Sequence, residues 1–378
     1  MPTKLRILQV CSAREPVYGA VHSLMTLSRA QRTAGHRVEF ITFKGKGKEF
    51  TTHVRGQGFQ AHEIKVRTKI DPLAIVRMAR VIREGRFHVV HTHLSTSSVN
   101  GTLAARLAGV PCVSTVHGLS GRLSFAASDC LIAVSEEVKS HMMAQKISAD
   151  RIHVVHNGLE LDSFAANTDL ARVRLGFEQL GPILGTVARV TSLKGIEDGI
   201  RVAANLCAEF PGLRYLVVGD GDAMPACRAL VEELDMREVV HFAGYQKEVA
   251  DFLAAMDLFL FPSHKEAMGI ALVEAMAAGL PVVATRVGGI PEVVTPETGV
   301  LRPAQDVASL TEAVRDLLYD SARRVELGAN ARARAFGVFS STAMADRTEA
   351  VYRKLLGQQP HIRRKPARPE TKVKVSDI

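Results

Sequence analysis

The chain alternates short β-branched runs with longer runs of helical period. Residues 5–11 form a strand candidate, followed by a helix over about 21–33. Gly35 and His36 turn the chain into a strand over 37–43. A helix over about 72–83 leads to a strand at 88–91, and another over about 97–107 leads to a strand at 111–116. Strands at 130–134 and 152–155 close this half. Asn157-Gly158 marks a turn, and the polar stretch to about Ala171 reads as a linker.

The pattern then restarts, with strands expected at 182–188, 214–218, 239–242, 258–261 and 281–284. Helices are expected between them at about 196–209, 225–234, 248–255 and 269–278. Strand–helix alternation of this kind argues for parallel sheets covered by helices. The expected fold class is therefore α/β, with two Rossmann-like halves in tandem. Such sheets bind ligands at the carboxyl ends of their strands, and two facing sheets make a cleft. Three further helices are expected at 305–318, 322–335 and 341–356.

Composition and charge narrow the picture. The chain has 378 residues, 47% of them apolar and 23% charged, enough for about two ordinary cores. No apolar run reaches the roughly 18 residues of a membrane span. The first ten residues are too short and interrupted an apolar stretch for a signal peptide, so a cytoplasmic location is expected. Five scattered cysteines, none in C-x-x-C, read as buried thiols rather than a disulfide or zinc framework.

Residues 1–165 carry 22 Lys and Arg against 12 Asp and Glu. Residues 166–357 carry 20 against 25, and the tail 358–378 carries 6 against 2. A basic first half suggests an anionic partner. Aromatics are only 5% and Trp is absent, so stacking platforms are scarce and nucleic acid is not expected; an anionic membrane or acidic acceptor fits the charge at least as well. Arg77, Arg80, Arg83 and Arg86 recur at a helix-like spacing, near Lys44, Lys46, Lys48, Lys65, Arg67 and Lys69. A solvated basic face accounts for them equally well.

The segment FPSHKEAMGIALVEAMAAG (261–279) carries the clearest chemistry. Glu266 falls in a loop after a strand. Glu274 is the only charge on the apolar helix that follows, where a carboxylate is costly unless partnered. On continuous helix the two would lie roughly 12 Å apart. That suits two points along an extended ligand, not an acid/base couple across one bond. A paired structural role for Glu274 is the other reading of the spacing.

This segment resembles the E-x7-E signature of retaining GT-B glycosyltransferases of family 4, and LPVVATRVGGIPEVV (280–294) continues that family's pattern. The resemblance extends over about residues 4–357. It implies a GT-B fold, with two Rossmann-like β/α/β domains facing across a cleft. It also implies the boundaries 1–165 (acceptor side), 166–336 (nucleotide-sugar binding) and 337–357 (a helix crossing back). The tail 358–378, rich in Pro, Lys and Arg, reads from its composition as basic and disordered.

By the same resemblance, Glu266, Met268, Gly269 and Ile270 hold the donor sugar, and Glu274 holds the ribose. ILGTVARVTSLKG (183–195) resembles the family's diphosphate clamp, which assigns Arg189 and Lys194 to the phosphates. On spacing alone, that pair reads as solvated. Gly19, in PVYGA (16–20), matches a loop that approaches the diphosphate. His117, in STVHG (114–118), matches a histidine facing the sugar near the reacting carbon. Alone it reads as a hydrogen-bonded structural residue. VVGDGD (217–222) is a structural turn, and His91-Thr-His93 lacks a third metal ligand at a defined spacing.

The expected activity is transfer of a sugar from a nucleoside diphosphate to an acceptor hydroxyl, with retention and with no metal or other cofactor. The expected setting is cell-envelope polysaccharide or lipopolysaccharide synthesis, with a glycan or lipid-linked acceptor. A nucleotide-sugar epimerase of the same fold and a non-catalytic sugar-nucleotide-binding subunit remain as alternatives.

Overall fold

The computed structural model describes residues 3–14, 19–45, 47–164, 168–177, 181–266 and 268–358. Residues 16–18 of the glycine loop, Lys46, Ala267 and the tail from residue 359 lie outside the described residues.

The first sheet comprises β1 (Arg6–Cys11), β2 (Arg37–Phe43), β3 (Gln60–Ile64), β4 (Val89–His93), β5 (Cys112–Val116), β6 (Cys130–Ala133) and β7 (Ile152–Val154). Its order is β3-β2-β1-β4-β5-β6-β7. The second comprises β8 (Ile183–Val187), β9 (Arg214–Val218), β10 (Val240–Gly244), β11 (Leu258–Phe261), β12 (Val282–Thr285) and β13 (Gly299–Arg302), in the order β10-β9-β8-β11-β12-β13. Every pairing in both sheets is parallel. Strands covered on both faces carry near-continuous apolar runs, as β1 and β11 do.

The helices of the first half are α1 (Gly19–Thr33), α2 (Lys48–Gly56), α3 (Pro72–Glu84), α4 (Ser95–Ala108) and α5 (Glu136–Ala144). Those of the second are α6 (Thr168–Leu175), α7 (Ile196–Leu206), α8 (Met224–Glu233), α9 (Ala250–Ala255), α10 (Ile270–Ala277), α11 (Ile290–Val293), α12 (Val307–Tyr319) and α13 (Ser321–Phe339). A last helix, α14 (Ser341–Gln358), ends the described chain.

Successive residues of β1 serve opposite layers. Ile7 and Cys11 join a core with α1 and α14, through Leu24, Val351 and Tyr352. Leu8 and Val10 join another with α3 and α4, through Met78, Ile82 and Ala104. The last helix thus belongs to the first sheet's packing. Its Glu349 accepts a hydrogen bond from His36 at 2.8 Å, and its Arg353 donates to the Thr3 carbonyl at 3.0 Å. The two connections between the sheets run side by side. Leu159 N donates to Phe339 O, and Ser341 N donates to Leu159 O, each at 2.8 Å.

Two expectations need correction. The stretch to Ala171 is not wholly linker, because α6 occupies Thr168–Leu175. Tertiary contacts stabilise this polar helix: Ala171 is buried, Arg172 pairs with Asp257 at 2.6 Å and Arg174 with Asp251 at 3.0 Å. The four arginines also do not share one helix. α3 stops at Glu84, and Arg86 sits in a turn with φ of 48°.

Candidate functional site

In the second sheet the strand order reverses between β8 and β11, the switch point at which parallel sheets bind ligands. The loops leaving these two strands are strapped together. His264 N donates to Leu193 O at 2.8 Å, and the His264 ring bonds Asp198 at 2.7 Å. Lys194 Nζ donates to Glu266 Oε2 across the gap, with both side chains mostly buried. Arg189, at the end of β8, is exposed and makes no ion pair among the described residues.

The backbone of Glu266 is held from the other side by the loop after β12. Gly288 has φ of +50°, and a Cβ there would stand 1.7 Å from the Glu266 carbonyl oxygen. That oxygen also accepts the amide of Gly289 at 3.3 Å. Gly269, the N-cap of α10, is likewise left-handed at φ 83°, and the helix begins at Ile270 rather than earlier. Met268 is buried beside it and Ile270 is exposed. Within the first turn of α10, the Leu272 and Val273 amides donate to the Gly269 carbonyl at 3.0 and 3.4 Å, and an α-helix has no intrahelical acceptor for the amides that precede them.

Glu274 lies one turn into α10, between buried Val273 and Ala275. Its carboxyl makes no hydrogen bond or ion pair among the described residues. Burial alone pushes its pKa up from 4.5 to about 7. A paired structural role is thereby removed.

The first sheet also reverses, between β1 and β4. Gly19 begins α1 just past β1, and a Cβ on it would meet nothing within 4 Å. His117 follows β5. Its Nε2 lies 3.1 Å from His93 Nδ1, and its own Nδ1 is buried with no partner among the described residues. Burial pushes its pKa down to about 4, so the ring is neutral at pH 7. His91 and His93 are both occupied by protein partners: His91 by Tyr352 and Thr115, His93 by Gln9 and His117. No group of three or more His, Cys, Asp or Glu suited to a metal occurs among the described residues.

The structure thus joins Lys194 to Glu266, and His117 to the buried histidines of the other sheet. Each candidate stands at or just past the carboxyl end of a strand, except those on α10 and at its start, which follow the loop from β11. Three contributions escaped sequence reasoning. Gly288 and Gly289 seat the Glu266 backbone. Gln9, Gln31 and Tyr352 build the layer behind His117. Glu292 on α11 reaches across to the first sheet, where it accepts the amides of Glu136 and Glu137 at 2.8 and 3.3 Å and bonds His156 at 2.9 Å. The sequence signal for the first was the Gly-Gly pair, and for the second a glutamine inside an apolar strand.

Two parallel sheets, each with its switch point and with candidate residues on the loops at the strand ends, define the two-domain GT-B architecture. HepE of Anabaena, solved with UDP, superposes with a TM-score of 0.78 at 20% identity, covering 93% of this chain and 100% of HepE. Residues 167–334 match the glycosyl transferases group 1 family, and residues 17–163 match glycosyltransferase family 4. A D-inositol 3-phosphate glycosyltransferase of Xylanimonas cellulosilytica is 34% identical over 293 residues, 67% of this chain and 69% of the relative. The N-acetyl-alpha-D-glucosaminyl L-malate synthase of Bacillus anthracis is 28% identical over 92% of this chain and 97% of its own. The chain belongs to glycosyltransferase family 4, and it is a transferase.

Proposed function

We propose that this chain moves a hexose-type sugar from a nucleoside diphosphate to an acceptor hydroxyl, with retention, in the synthesis of a cell-envelope glycan or lipopolysaccharide. The observation that carries the donor assignment is Glu274, a partly buried carboxyl with no protein partner among the described residues, whose desolvation raises its pKa to about 7. The ribose hydroxyls of a nucleotide would supply its missing hydrogen bonds. Glu266 and the amides around Gly269 then grip the sugar. Arg189 and Lys194 take the diphosphate, with Gly19 approaching it from the other domain. As the acceptor oxygen bonds the anomeric carbon, the bond from that carbon to the diphosphate oxygen breaks, and the acceptor's proton passes to the departing diphosphate. Arg189 and Lys194 stabilise the charge that departs with it. His117 faces the sugar from the first domain. No metal is needed for this charge balance. Relatives named for envelope-type acceptors, including the lipopolysaccharide outer core galactosyltransferase WaaB, support the setting.

A melting-temperature screen with UDP-, GDP- and ADP-sugars tests the reading, with UDP-sugars first because HepE holds UDP. At least one should raise the melting temperature. Lys194→Ala should lower kcat by about 10²–10³. A screen without a hit, or a Lys194→Ala variant that transfers at the normal rate, would sink the assignment. Release of an isomerised nucleotide sugar without an acceptor would favour an epimerase instead.

The acceptor side faces an anionic bilayer in this proposal. Ile70, Leu73 and Val76 expose about half of their surface at the start of α3, beside exposed Lys69, Arg77 and Arg80. No described helix is long and apolar enough to cross a membrane. Apolar side chains among cations suit shallow insertion among acidic headgroups. Sedimentation with anionic vesicles should capture the protein at low salt, with capture falling at high salt. No capture at low salt would rule the surface out.

A further inference from the structure

His117 ends a buried ladder whose polarity can be read from its distances. Tyr352 OH lies 2.6 Å from His91 Nδ1 and 3.2 Å from Gln31 Nε2. The shorter contact is in the range of an O–H donor and below that of an N–H donor, while the longer suits N–H···O. Tyr352 therefore donates to His91 and accepts from Gln31. Gln31 must then turn its Oε1 to Gln9, which donates from Nε2 at 3.0 Å. Gln9 is left presenting Oε1 to His93 Nε2 at 3.0 Å, so His93 carries its proton on Nε2. Its Nδ1 is then an acceptor, and the facing Nε2 of His117, 3.1 Å away, must hold a proton to reach it.

Every other member of this chain is at most 1% exposed. Burial keeps the histidines neutral: His91 is pushed down to about 3 and His93 lies well below its ordinary value. A second proton on any ring is excluded near pH 7.

We infer that the ladder Tyr352–Gln31–Gln9–His93 holds His117 as its Nε2–H tautomer, so that Nδ1 offers a lone pair that accepts a hydrogen bond from a hydroxyl of the bound sugar. Tyr352, Gln31, Gln9 and His93 are positioning residues; only His117 touches substrate. The tautomer follows from the ladder alone, while the sugar contact rests on the donor-site reading. The buried, unpartnered Nδ1 of His117 is the atom left to receive it. Because Tyr352 rides on α14, the last described helix sets a proton position beside the candidate site.

The test is ¹⁵N spectroscopy of the histidine-labelled full chain, with His93→Asn and His117→Asn for assignment. In the free wild-type protein both rings should show pyrrole-type Nε2 and pyridine-type Nδ1. A proton on Nδ1 of either ring overturns the inference. Gln9→Met and Tyr352→Phe each break the ladder, and should give a resolved Nδ1–H population at His117. Spectra unchanged in both variants would show that the ladder does not hold the ring. If neither variant folds, the wild-type tautomers still decide. Adding the nucleotide sugar that raises the melting temperature should move His117 Nδ1 upfield, and an unmoved signal with donor bound overturns the sugar contact. A melting screen without a hit removes the donor-site reading, whereas the tautomer stands or falls on the free protein.

Discussion

Glu274 is the residue with the most telling energetics. Below pH 4.5 its carboxyl is protonated whether the chain is folded or not. Between pH 4.5 and about 7 the unfolded chain ionises while the folded one resists, so stability falls with rising pH. The loss is complete above pH 7 and is on the order of 3 kcal/mol. Glu274→Gln should therefore gain most of that stability at pH 8 and little at pH 4, measured by urea unfolding without ligand. It should also lose about tenfold or more in nucleotide-sugar affinity, because a hydrogen bond to a charged group is worth ~1.5–3 kcal/mol. Equal stability of the two proteins at pH 8 would contradict the burial argument. That the carboxyl is isolated was half legible in the sequence, since no other charge shares its helix. Whether a neighbouring element would supply a partner was not, because that depends on packing. The Lys194–Glu266 contact spans 72 positions, and Gln31 meets Tyr352 across 321. Local pattern cannot pair residues so distant.

At the scale of elements, the loop after β12 decides where Glu266 sits. Gly288→Ala would drive a methyl into the Glu266 carbonyl from a left-handed backbone. It should cost more than about 2 kcal/mol of stability, and reduce transfer by displacing Glu266. Gly19→Ala provides the contrast, since its methyl meets open space. Its melting temperature should stay level or rise slightly, while donor affinity falls. Thermal melts and titration calorimetry on both variants would separate the two roles, and a stable, active Gly288→Ala would refute the seating argument. Most strands were visible as apolar runs ending in turns. β3 was not, because Gln60–Ile64 is an edge strand with one fully buried residue. α6 was not, because its stabilising partners lie on α9 and before β11, about 80 residues away.

Across the whole molecule, Glu292 joins the two halves by capping the amides that open α5. Burial works against its charge, but the bonds from His156 and from the Glu136 and Glu137 amides prevail and hold its pKa below 4.5. Its stabilising contribution is thus present above pH 4.5 and fades as the pH falls through the lowered value. Glu292→Ala should loosen the halves at pH 7, seen as a larger radius of gyration in X-ray scattering. The wild type should approach the same dimension only in acid. Identical scattering at pH 7 would mean that the capping bonds do not set the separation.

The returning helix has a consequence for synthesis. The ribosome completes residues 183–302, and with them every strand of the second sheet, before it makes α14. Until Tyr352 emerges, Gln31 and His91 have no hydroxyl between them, and Val351 and Met344 are missing from the first core. The half of the protein translated first is therefore the half whose packing is finished last, and a nascent chain must carry that unfinished layer while its later half folds.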